Sequence, residues 1–164
     1  MPYNLADAVE DALNRSPKSS EFVEFENGSR CRVVIHADGN HTLEDDGDWF
    51  GSLHWSDGTE RPKDCDGSAM KLSTRRGHVW WMPPTDIKGD SEAVKRLKKR
   101  VADYFLEQWY WVGIEVKFDS APCKCCGLRK EFRESVWGVE SDASVEYLSE
   151  LAEDLLTQCK EDAE

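Results

Sequence analysis

Asn27-Gly28 stands between two strand-forming runs, Phe22-Val23-Glu24-Phe25-Glu26 and Arg32-Val33-Val34-Ile35. That dipeptide is the strongest short-range hairpin signal a sequence carries, because both residues tolerate the positive φ of a tight turn. It commits residues 21–37 to an antiparallel pair. Asp38-Gly39-Asn40 turns again into His41-Thr42-Leu43, and Asp45-Asp46-Gly47 leads into Trp49–Trp55, so a meander of about four strands is expected. Met70–Ser73 and Val79–Met82 are further strand segments, the second ended by Pro83-Pro84. Later, Trp109–Phe118 alternates, with Tyr110, Val112, Ile114, Val116 and Phe118 on one face. A loop at Ala121–Gly127 returns the chain into Leu128–Val136 as a second hairpin.

Three helices frame these strands. Leu5, Ala8, Val9, Ala12 and Leu13 repeat at helical spacing behind Asn4, an N-cap, with Asp7 favoured by the helix dipole and Ser16-Pro17 as the stop. Asp90 or Ser91 caps a second helix whose stripe is Val94, Leu97, Val101, Tyr104 and Phe105. Asp142 or Ser144 opens a third, with Val145, Leu148, Leu151, Ala152, Leu155, Leu156 and Cys159 on one side. The pattern predicts an α+β fold, an antiparallel sheet of meander and hairpin strands with about three helices packed on one face. A single domain over 1–164 is expected: N-terminal helix, β-meander 21–83, helix 90–108, hairpin 109–137 and C-terminal helix 142–160.

Charge is distributed unevenly. The net value is −12, yet residues 61–100 hold 11 Lys/Arg against 5 Asp/Glu, leaving −18 for the rest. Asp38–Glu60 carries seven acids with no Lys or Arg. Such a chain repels nucleic-acid phosphates, and its electrostatic partners are basic surfaces. Direct nucleic-acid binding is not expected, although Lys95-Arg96-Lys98-Lys99-Arg100 with Arg75, Arg76, His78, Trp80 and Trp81 is the one basic and aromatic combination. The opening residues carry no basic and apolar leader, and no run reaches membrane-spanning length, which points to a cytoplasmic protein without a membrane partner.

Few motifs carry chemistry. Cys123-Lys124-Cys125-Cys126-Gly127 contains the CxxC-Gly spacing of a zinc knuckle. Cys123 and Cys126 are therefore candidate metal ligands, a half-site without a second pair, so the cofactor expectation is none or zinc. Glu44-Asp45-Asp46-Gly47-Asp48 lacks EF-hand spacing, because Gly47 as position six puts Leu53 at position twelve. An acidic hairpin tip is the better reading. His54 and Asp57 could pair, but there is no nucleophile elbow and no Gly-rich phosphate loop. The chain reads as non-enzymatic.

Adjacent strand residues face opposite ways, so one of Trp80 and Trp81 should lie on an outer face. The expected partner-binding residues are Glu44, Asp45, Asp46 and Asp48 on the acidic segment, and Trp80 and Trp81 on the aromatic strand.

Three segments resemble a known group: Arg76-Gly77-His78-Val79-Trp80-Trp81-Met82-Pro83-Pro84, Tyr104-Phe105-Leu106-Glu107-Gln108-Trp109-Tyr110-Trp111-Val112-Gly113-Ile114, and Glu134-Ser135-Val136-Trp137-Gly138-Val139-Glu140-Ser141-Asp142. Across residues 75–158 the chain resembles small acidic proteins of tailed phages of actinobacteria, a group with no assigned activity. The Cys123–Cys126 loop is outside that resemblance, and no catalytic residue comes with it. It implies a phage accessory protein in the cytoplasm of an infected bacterium. The leading expectation is a non-enzymatic interaction protein that modulates a host protein, such as a nucleic-acid enzyme or defence nuclease met through acidic surfaces. The alternative is a small zinc-binding, nucleic-acid-binding module. A homo-oligomer stays open.

Overall fold

The computed structural model describes residues 4–15, 18–56, 60–75 and 77–164. The expected helix stop at Ser16-Pro17, Asp57 as a partner for His54, and Arg76 lie outside the described residues. The fold is α+β with two antiparallel sheets. By contacts the chain divides into two compact units, one built from residues up to Asp38 together with Trp111–Glu164, the other from Gly39–Tyr110.

In the first unit, α1 (Leu5–Asn14) opens on a capping box in which Asn4 and Asp7 exchange side-chain and backbone hydrogen bonds at 2.9 and 3.2 Å. The hairpin at Asn27-Gly28 forms, with Gly28 at φ 80°, joining β1 (Val23–Glu24) to β2 (Arg30–Ala37). The long strands β6 (Trp111–Asp119) and β7 (Glu131–Glu140) complete the sheet in the order β1-β2-β6-β7. Cys31, Val33, Ile35, Val112, Ile114, Val116 and Phe118 form its inner face. Ala8, Val9 and Ala12 of α1 pack against it together with Leu148, Ala152, Leu155, Leu156 and Cys159 of α4 (Val145–Glu161), which is capped by Ser144. The apolar stripes expected for both helices are these buried faces.

A bulge interrupts the β6–β7 register between Val112 and Ile114, so that Trp137 and Gly138 oppose Gly113 alone. Gly138 takes φ 72°, the left-handed conformation a bulge of this kind asks of its glycine. Trp137–Glu140 therefore belongs to β7, which runs past the hairpin end expected at 137, and the turn before α4 starts at Ser141.

The second unit holds a three-stranded sheet ordered β3-β5-β4, from β3 (Ser52–Trp55), β4 (Met70–Thr74) and β5 (Gly77–Met82). His41–Leu43 is not a strand; Thr42 is instead tied into a turn by Asp45. Trp49 and Phe50 leave the expected strand for a short helical turn, α2 (Gly47–Phe50). Helix α3 (Ser91–Phe105) begins where Asp90 accepts hydrogen bonds from the backbone N–H groups of Glu92 and Ala93, both at 3.0 Å. Leu43, Leu72, Val79, Trp81, Val101 and Trp109 are the core of this unit. Gly51 is obligatory there: it sits at φ 82°, and a Cβ would meet Met82 O at 2.1 Å.

Candidate functional site

The second unit opens a cleft of about 460 Å³. Leu53, Trp55, Tyr104, Phe105, Trp109 and Tyr110 line it, and Glu44, Arg75 and Glu107 stand among them. Trp55 meets Phe105 edge-on at 5.7 Å and remains 54% exposed. Tyr104 links Phe105 to Trp109, with ring centroids 5.6 and 5.1 Å away. Trp109 is anchored from behind, its indole N–H donating to Arg100 O at 2.9 Å while the Arg100 guanidinium lies 4.0 Å over the ring. Trp55 and Tyr110 are the exposed rings of this wall, Tyr104 and Phe105 are half-buried, and Trp109 is buried behind them.

Acidic groups flank that wall. The Trp55 indole N–H points at Glu44 Oε1, 3.4 Å away. Burial first, and then the negative charges of Glu44 and Asp45, push the Tyr104 phenol above its ordinary value. Glu107 occupies an unusual place. Its N–H donates to Tyr104 O and that of Gln108 to Asp103 O, both at 2.9 Å, which is the double hydrogen bond that ends a helix on a left-handed residue. Glycine usually fills that position, yet here a glutamate holds φ 58°, alone among the described non-glycine residues at positive φ. Its carboxylate pairs with Arg75 at 2.8 Å in the open.

The four acids expected to meet a partner divide into two kinds. Asp45 accepts from the Thr42 N–H at 2.7 Å and its hydroxyl at 2.9 Å, and the backbone bond above all holds its carboxyl below the ordinary range. Asp46 lies 2.6 Å from His41 Nε2. Both are tied into the turn, although Asp45 is exposed like Glu44 and Asp48, and only Asp46 is half-buried. The aromatic pair divides as alternation requires. Trp81 is 0% exposed and donates to Phe50 O at 2.5 Å, while Trp80 is half-buried opposite His54 and Lys71. The large exposed rings are found elsewhere, at Trp49, Trp55, Tyr110, Trp137 and Tyr147. The expected acidic hairpin tip is instead a turn leading into α2, because His41–Leu43 forms no strand, and the Trp55 cleft was not foreseen because its walls come from β3, α3 and the segment after it.

The thiols also gather. Cys123, Cys125 and Cys126 are all exposed, and their sulfurs lie within 4.8 Å of one another, so the structure adds Cys125 to the expected pair. The Cys123 and Cys125 sulfurs are 2.8 Å apart. Hydrogen bonding from the Cys125 thiol, then from the backbone N–H groups of Cys125 and Cys126, lowers the Cys123 thiol to about 6, while the Cys125 thiol is raised by the same partner. In the second unit His54 Nδ1 is 2.8 Å from Asp64, with Cys65 close by. Burial, then Asp64, raises the Cys65 thiol, which keeps it protonated rather than nucleophilic. Within the basic run, Lys99 pairs with Asp103 at 2.5 Å and Arg100 is spent on Trp109. No helix among the described residues is long and apolar enough to cross a membrane. No protein-family model, no curated protein and no solved structure matches this chain.

Proposed function

We propose that the chain is a non-enzymatic protein-binding module that takes a basic, aromatic- or aliphatic-bearing segment of a host protein into the Trp55 cleft. The observation that carries this reading is the juxtaposition of a solvent-open aromatic wall with Glu44 and Glu107. Large rings held rigid lose little entropy on binding and supply contact area at interface centres. Carboxylates beside them select a cationic neighbour and speed its approach. The left-handed Glu107 supports the same reading, since a residue kept in a costly conformation at a cleft marks a functional demand there. An accessory protein of a phage that engages a basic host surface, such as the phosphate-binding groove of a nucleic-acid enzyme, fits this chemistry and the −12 net charge.

Calorimetric titration with peptides of one length tests the reading, each carrying a central Trp or Leu flanked by Lys/Arg or by Glu. Binding of the basic set, weakened by salt and lost in Trp55→Ala, is expected. Equal binding of basic and acidic sets, or binding unaffected by Trp55→Ala, would refute it.

A further inference from the structure

Three thiols displayed on one surface loop run against the usual preference of cysteine for the interior. In the first unit the loop between β6 and β7 is firmly built. Ser120 N–H donates to Lys130 O at 2.8 Å, and Lys130 N–H donates back to Ser120 Oγ at 3.0 Å. Arg129 ties the base to the β1–β2 turn, its Nη1 donating to Gly28 O at 2.5 Å and to Ser120 O at 2.9 Å. Above that base, Cys123 N–H donates to Leu128 O at 2.8 Å, and Gly127, at φ 71°, donates its N–H to Cys123 O at 2.7 Å. The tight turn brings the sulfurs of Cys123, Cys125 and Cys126 together, within 4.8 Å of one another.

We propose that Cys123, Cys125 and Cys126 form an open three-thiolate site for a thiophilic d10 cation, of the class zinc, cadmium or monovalent copper. Bonds of about 2.3 Å around a tetrahedral zinc place sulfurs about 3.8 Å apart. The three sulfurs already lie within 4.8 Å of one another, and the 2.8 Å Cys123–Cys125 approach has to widen by about 1 Å, on exposed side chains. Each coordinated thiol gives up its proton to solvent as its sulfur binds the ion. An all-sulfur donor set excludes magnesium and calcium, which require oxygen ligands. Because all three cysteines are exposed, the fourth position faces solvent and is filled by water or by a donor from a second molecule. The turn thus completes within itself what CxxC spacing alone leaves as half a site.

Titration of the reduced full-length protein with cadmium, followed by the ultraviolet sulfur-to-metal charge-transfer band, tests the proposal, with zinc competition as a second arm. One ion per chain is expected. Cys123→Ser, Cys125→Ser and Cys126→Ser should each weaken binding by more than the roughly 10- to 100-fold that loss of an outer-shell group costs. All three should leave the far-ultraviolet circular dichroism unchanged, since the side chains are exposed. Cys65→Ser, at the separate His54–Asp64–Cys65 group, should leave the band intact. Retention of full affinity in Cys125→Ser would overturn the three-ligand site, and loss of the band in Cys65→Ser would move the ion elsewhere. Formation of a disulfide within the loop when the zinc-saturated protein is exposed to oxygen, which accepts the two electrons and two protons, seen as a mass loss of two hydrogens, would mark the cluster as a redox pair instead.

Discussion

Glu107 donates its backbone N–H to Tyr104 O at 2.9 Å while holding the left-handed φ of 58° that ends α3. The conformation costs a residue with a Cβ about 1 kcal/mol relative to glycine. Glu107→Gly should therefore leave thermal stability equal to or above that of the parent, by up to about 1 kcal/mol, while weakening capture of basic peptides. Paired melting and calorimetry check this. A loss of stability with binding intact would mean that the carboxylate serves the fold and not the cleft.

Gly113 makes a second demand of this kind. Trp137 lies over it so closely that a Cβ would come within 2.3 Å of the indole. Gly113→Ala should displace the ring from its stack on His36, now 5.7 Å between centroids, and cost about 1–3 kcal/mol. Combining it with Trp137→Ala should recover part of that cost, because the two residues share one space. Tryptophan emission and melting of the single and double variants check the coupling.

Much of the architecture was legible because it rests on local signals. Asn27-Gly28 forms its hairpin, Asn4, Asp90 and Ser144 cap their helices, and the stripe of α4 is buried as its spacing demands. What failed was partly a local turn, Asp45 folding back on Thr42 three residues before it, and partly partners distant in sequence, such as the pairing of β3 with β5. Alternation at Trp80-Trp81 says that one ring is inside, yet not that the exposed tryptophans are Trp49, Trp55 and Trp137. The cleft is likewise invisible in sequence, since Trp55 and Phe105 meet only through tertiary packing.

Trp81 and Trp55 should separate stability from binding. Trp81→Ala removes a fully buried indole and its hydrogen bond to Phe50 O, and should cost about 3–5 kcal/mol. Trp55→Ala should shift stability by no more than about 1 kcal/mol and still abolish peptide binding. Chemical denaturation of both variants provides the comparison.

Alkaline pH should weaken the first unit. Burial raises both the Cys31 and Cys159 thiols to about 11. An acid whose folded value is raised favours the folded state while protonated, so the stability it contributes is complete below the unfolded value near 9 and is lost as pH rises from there towards 11. Melting temperature should fall across that window, and the fall should shrink in Cys31→Ala measured against its own neutral-pH stability. At neutral pH a thiol reagent should modify Cys123 quickly and leave Cys31 and Cys159 untouched until unfolding.

The central claim is that Trp55 stands where a partner binds, and photocrosslinking addresses it most directly. A photoreactive phenylalanine at position 55 and another at Glu153, on the exposed side of α4, are compared in host lysate, with crosslinked peptides identified by mass spectrometry. Crosslinks are expected from position 55 to a Lys/Arg-rich segment of one partner protein, fewer when Glu44 and Asp48 are both changed to Lys, and none of them from position 153. Equal labelling from the two positions, or labelling at 55 that survives the charge reversal and favours acidic segments, would contradict it.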